Sequence, residues 1–168
     1  MILEDKIQEE LLKELKSNSF NNISILTICK NLNITRQAFY YHYESIFDVI
    51  FSIYLNNPID NNISNLNELY SSIIDYLSKE LEFNKIIYFS DSKEVLIEFI
   101  TSYINKFLLK YLTKFKIDNE NIKSISRMYS IGLSNELLFN YFNDYNNELL
   151  INKMNLLFND SIIKTFKK

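Results

Sequence analysis

Glycine and proline are almost missing from this sequence: Gly132 and Pro58 are the only examples in 168 residues. Tight turns, hairpins and phosphate-cradling loops depend on those two residues, so all-β and α/β architectures give way to an all-α fold. Cys29 is also single, which rules out an intrachain disulfide and most zinc schemes. His42 is the only histidine. The chain offers no nucleophile–histidine–acid set, no carboxylate metal box and no glycine phosphate loop. It is therefore read as a non-enzyme with no catalytic residues, metal or cofactor. No apolar run reaches the roughly 18 residues of a membrane span, and no basic-then-apolar leader is present. The expectation is a soluble, cytoplasmic protein with no membrane partner.

What the chain does have is apolar content: 47% of its residues are hydrophobic, and aromatics make up 15% of the whole sequence. That is ample for a helical core in a chain of this size. Asparagine has to do the turn work that glycine usually does, because it tolerates the left-handed conformation better than most residues. Ile7, Leu11, Leu12 and Leu15 recur at helical spacing and predict a first helix over 3–16. Phe20 plugs the gap before the next helix. Ser24 caps a second helix over 25–32, Asn33-Ile34 forms a tight turn, and Thr35 caps a third helix running to Tyr43. Ser45 with Asp48 reads as a capping box opening a fourth, to about Asn56. Pro58 then breaks the chain, which predicts a domain over 1–56 and another over 57–168. Long helices are expected at 63–82, 92–115, 120–143 and 147–165, with a box-like start at Asp91 and Glu94, and 83–90 left open between helix and loop.

The net charge is −3, which does not announce a nucleic-acid partner, but its distribution is uneven. From Leu15 to Tyr43 there are Lys16, Lys30 and Arg36 and no acid. Within that stretch, RQAFYYHY holds the chain's only alanine and histidine beside four aromatics. On a helical wheel Thr35, Phe39 and Tyr43 share the packing face, and Gln37, Ala38, Tyr40 and Tyr41 point outward, with Arg36 and His42 at the margins. A short helix, a tight turn and a second helix with a polar outer face is a helix-turn-helix. Arg36, Gln37 and Ala38 then sit where base edges are read: Arg can pair bidentately with guanine, Gln with adenine, and a methyl can touch thymine. Ser24, Thr35, Tyr40, Tyr41 and His42 are the candidate phosphate contacts.

These residues carry a resemblance. Phe20-Asn21-Asn22-Ile23-Ser24, then residues 28–35, then Ala38-Phe39-Tyr40-Tyr41-His42-Tyr43 are similar to the DNA-binding domain of TetR-type transcriptional regulators. Within that family, RQAFYYHYESIFDVI is most similar to the subgroup typified by dihydroxyacetone-kinase regulators. The resemblance implies a C-terminal helical bundle that binds a small-molecule effector and pairs two subunits on double-stranded DNA. It implies a repressor that leaves a palindromic operator when the effector binds. Departures are Asn33 and Ser19 where glycine is usual, and Ile46 where a lysine commonly opens the fourth helix. The last removes a phosphate contact.

In the larger half, Phe99, Tyr103 and Phe107 form an aromatic stripe suited either to an effector pocket or to plain core. Leu137 and Tyr141 on one helix, with Leu150, Met154, Leu157 and Phe158 on the next, supply more apolar surface than a thin bundle needs. They are the expected homodimer interface, two helices from each subunit. For His42 a buried, hydrogen-bonded imidazole stands as the alternative to a phosphate contact. For the whole chain, the alternative is the same helical dimer acting through protein partners without operator recognition.

Overall fold

The computed structural model describes residues 2–18, 20–59, 62–143 and 146–158, and among these it is all-α, without a strand. The helices are α1 (Leu3–Ser17), α2 (Ile25–Leu32), α3 (Arg36–Tyr40), α4 (Ile46–Asn56), α5 (Leu66–Lys79), α6 (Leu81–Tyr88), α7 (Lys93–Tyr111), α8 (Asn119–Phe142) and α9 (Asn147–Asn155). Short 3₁₀ turns lie at Phe20–Asn22 and Leu112–Lys114. The predicted helix over 63–82 starts later, and residues 83–88 are helical. A kink at Glu80, whose backbone is neither helical nor extended, separates α5 from α6. Asp91 caps nothing. Ser90 Oγ accepts from the Ser92 amide at 3.1 Å instead, and α7 begins at Lys93. The predicted last helix runs to 165, and its end falls outside the described residues. No helix among those described is long and apolar enough to cross a membrane.

The chain forms two compact units, residues 1–58 with 80–96, and 59–79 with 97–168. In the first, the apolar faces of α1 (Ile7, Leu11, Leu15), α2 (Ile28, Cys29), α3 (Phe39) and α4 (Val49, Ile50, Ile53, Tyr54) meet in one core, which also buries Ile87 and Tyr88 of α6. Each large side chain so removed from water contributes about 1.5–3 kcal/mol. Polar groups fix the register between helices. Asn31 of α2 donates to Glu10 and Glu14 of α1 at 2.8 and 2.9 Å. The buried Tyr54 hydroxyl donates to Asn84 Oδ1 of α6 at 3.1 Å.

The second unit packs α5, most of α7, α8 and α9. Ser126, Ser130 and Ser134, one turn apart on α8, are all buried. Two of them bond α7: Ser134 shares a hydrogen bond with Thr101 at 2.6 Å, and Ser126 donates to Asn105 Oδ1 at 2.6 Å. Leu137, Leu150, Met154 and Phe158 are fully buried within the chain itself. They are the core against α5 and its neighbours, since a two-helix apolar seam serves an internal partner as well as an external one. Tyr141 is half-buried and hydrogen-bonded to Ser78 of α5 at 2.9 Å. Leu157 alone of the six is exposed. The exposed apolar side chains of α8 are Met128, Ile131 and Phe139.

Candidate nucleic-acid interface

The turn between α2 and α3 turns on one backbone position. Asn33 has φ 53° and ψ 45°, the left-handed region, and among the described residues no other non-glycine residue has positive φ. Its amide reaches back to Cys29 and Lys30, closing α2, while Ile34 N–H donates to the Cys29 carbonyl at 2.9 Å. Asparagine thus supplies the conformation for which glycine is usual. On either side the two helices are capped as the sequence predicts. Ser24 Oγ accepts from Thr27 N–H at 3.1 Å, and Thr35 Oγ1 from Ala38 N–H at 3.1 Å. Thr35 therefore caps in solvent rather than lying on the packing face with Phe39 and Tyr43. Ser45 caps α4 through Asp48 N–H at 3.2 Å.

The α3 helix is anchored from below and open above. Phe39 is completely buried and Tyr43 nearly so. The Tyr43 hydroxyl accepts from Gln8 Nε2 of α1 at 2.8 Å, and the same amide donates to Ser52 Oγ of α4 at 3.0 Å. Regular helix ends at Tyr40, but Tyr41, His42 and Tyr43 remain in hydrogen-bonded turns onto Gln37 and Phe39, so the predicted helix to Tyr43 is shorter while its facing is kept. Arg36 and Gln37 are exposed and Ala38 is half-buried. Tyr40 is 46% exposed and Tyr41 85%. A tyrosine left that open has given up the burial its ring would otherwise bring.

Arg36 and Tyr40 are one turn apart and touch. Nη2 lies 3.5 Å from the Tyr40 hydroxyl, and the guanidinium carbon 5.9 Å from the ring centroid. That hydrogen bond holds the Arg36 pKa above its ordinary value. Burial pushes the Cys29 thiol up, and the charge of Arg36 partly offsets it. A high-pKa thiol on a packing face is inert.

His42 is placed differently from its neighbours. Its ring is half-buried against α1, with Nδ1 2.8 Å from Glu4 Oε1 and the Tyr41 ring edge-on at 5.0 Å. Sequence reasoning left Glu4 out, because a partner 38 residues away gives no periodic signal.

The aromatic stripe does not gather into one pocket. Phe99 is buried against the Tyr76 ring, centroids 5.5 Å apart. Tyr103 and Phe107 instead line an open cleft of about 240 Å³ with Ile63, Lys106 and Lys110. A larger open groove of about 430 Å³ lies on α8, lined by Met128, Tyr129, Gly132, Leu133, Glu136 and Leu157. A methyl group added at Gly132 would meet nothing within 4 Å.

No protein-family model and no curated protein sequence matches the chain. Among solved structures it is similar to one titled dihydroxyacetone kinase operon activator DhaS, with a TM-score of 0.62 at 20% identity, covering 98% of both chains. Identity that low carries the architecture and nothing finer: from end to end, the chain has the all-helical fold of that activator.

Proposed function

We propose that the protein is a dimeric, sequence-specific DNA-binding transcriptional regulator whose reading element is α3. The observation that carries this is the division of one short segment into two faces. Phe39 and Tyr43 are locked into the core, and Arg36, Gln37, Tyr40 and Tyr41 are presented to solvent. Packing accounts for the first pair and leaves the second set unused. Major-groove reading uses it all. Arg36 and Gln37 at the N-terminal end of α3 reach base edges, and Ala38 lets the backbone approach. The Tyr40 and Tyr41 hydroxyls bond phosphates, as do Ser24 and Thr35 at the two helix N-termini, where amide dipoles favour an anion.

One such helix reads only a few base pairs, so two copies spaced about 34 Å apart on an inverted repeat are needed. The dimer contact moves from the seam first expected to the outer face of α8, where Met128, Ile131 and Leu157 are exposed around Gly132. A small effector in the Tyr103–Phe107 cleft that binds the released state better would shift the population off DNA. In that form the protein is a repressor. The sign of regulation follows from where the operator lies, not from the fold.

The test is selection of bound fragments from randomised DNA at physiological salt, repeated with Arg36→Ala and Tyr41→Phe. We expect an inverted repeat whose sequence preference relaxes with Arg36→Ala, at about 1–3 kcal/mol per site. Tyr41→Phe is expected to weaken all sequences alike. A second reading, the same fold acting through protein partners, draws on the exposed Leu26 of α2 and Phe47 of α4. It gains if a folded protein recovers no shared site.

A further inference from the structure

The contact between Glu4 and His42 constrains more than the angle between α1 and the end of α3. A carboxylate oxygen only accepts hydrogen bonds, so the imidazole nitrogen 2.8 Å from Glu4 Oε1 has to be a donor. That nitrogen is Nδ1. A neutral ring held this way carries its single proton on Nδ1 and presents a lone pair at Nε2. A lone pair cannot donate to a phosphate oxygen; it repels one. The ring becomes a donor at both nitrogens only when it takes up a second proton. Among the described residues Glu4 from α1 is hydrogen-bonded to the ring, and the Tyr41 ring from its own turn stands edge-on to it. No other ionisable side chain is paired with it, and no protein group is bonded to Nε2.

Resting on the DNA-binding reading above, we propose that Glu4 is a positioning residue that fixes the Nδ1–H tautomer of His42, so that His42 meets a DNA phosphate only as an imidazolium. The proton balance is simple. Wherever the free protein holds a neutral ring, binding through this contact adds one proton per subunit at Nε2, which then donates to the phosphate. DNA affinity therefore rises as pH falls, as long as binding takes up that proton. The gain is up to about tenfold per pH unit for each histidine that takes up a proton. Where the ring stays neutral even in the complex the contact is lost, and Arg36, Tyr40 and Tyr41 hold the DNA without it.

Because His42 is the only histidine, its ring nitrogens can be read directly by ¹⁵N NMR of histidine-labelled protein without DNA. At high pH we expect a protonated Nδ1 and a lone-pair Nε2. A protonated Nε2 in the neutral ring overturns the tautomer argument. The second arm measures affinity against pH, at fixed ionic strength, for the duplex recovered in the selection. It compares the wild type with Glu4→Gln, whose fold is checked by circular dichroism. A glutamine can turn its amide to donate to Nδ1, which frees a neutral ring to carry Nε2–H. The pH dependence should then flatten, whatever the uniform gain from removing a negative charge. Equal slopes in the two proteins overturn the proposal. No DNA binding at any pH overturns the DNA reading and the phosphate contact together, whereas an Nε2–H spectrum overturns the tautomer argument alone.

Discussion

Asn33 shows how a single position can be both legible and decisive. With Gly132 and Pro58 placed elsewhere, the α2–α3 turn had to be made by a residue that tolerates positive φ, and the sequence offers asparagine there. Asn33→Ala is expected to lower stability by about 1–2 kcal/mol, the cost of a methyl group in the left-handed region. Asn33→Gly should leave stability within a few tenths of that value of the wild type; urea melts of the three proteins check both. The outward facing of Gln37, Tyr40 and Tyr41 was legible for a related reason, since facing follows from spacing, whereas Ala38, expected outward, is half-buried and Arg36, expected at the margin, is exposed. The Glu4 contact of His42 was not legible. It joins residues whose proximity depends on how α1 crosses the motif, and nothing local encodes that.

At the scale of elements, apolar periodicity locates helices well and says nothing about what covers them. Leu137, Leu150, Met154 and Phe158 have the pattern of an interface and the burial of a core. The α5–α6 break was missed for the opposite reason: Glu80 carries no glycine or proline to mark it. The pairing of α8 with α9 is fixed by a polar group as well. Lys153 of α9 lies 2.5 Å from Glu136 Oε1 of α8 and also donates to Asn140 Oδ1 at 3.1 Å. The hydrogen bond from Lys153, and then that from Asn140, hold the Glu136 carboxyl below its ordinary pKa. A carboxyl lowered in the folded state stabilises above its unfolded pKa, and that contribution disappears as pH falls through the lower, folded value. Lys153→Met is therefore expected to lower stability near neutrality and to leave the acid limit little changed, which flattens the acid side of the stability–pH curve measured by thermal melts at a series of pH values.

For the molecule as a whole, Gly132 separates folding from assembly. In a helix interior, glycine costs about 1 kcal/mol relative to alanine, and among the described residues nothing lies within 4 Å of a methyl group placed there. Gly132→Ala should raise the melting temperature of the single subunit. If the α8 face is the dimer contact, the same change weakens association, which sedimentation at several concentrations measures. The division of the chain gives a further prediction. The unit that carries α3 draws residues 80–96 from beyond α5, and the buried Tyr54 hydroxyl bonds Asn84 in that returning segment. A fragment ending at Pro58 leaves that hydroxyl and the faces that cover Ile87 and Tyr88 without their partners. It is expected to show weak helicity and no cooperative melt by circular dichroism. On the ribosome, the reading head cannot be finished when its last recognition residue emerges. It waits until residues 80–96 have been made, so a nascent chain stalled before α6 holds every residue of the motif and still lacks the core that aims it.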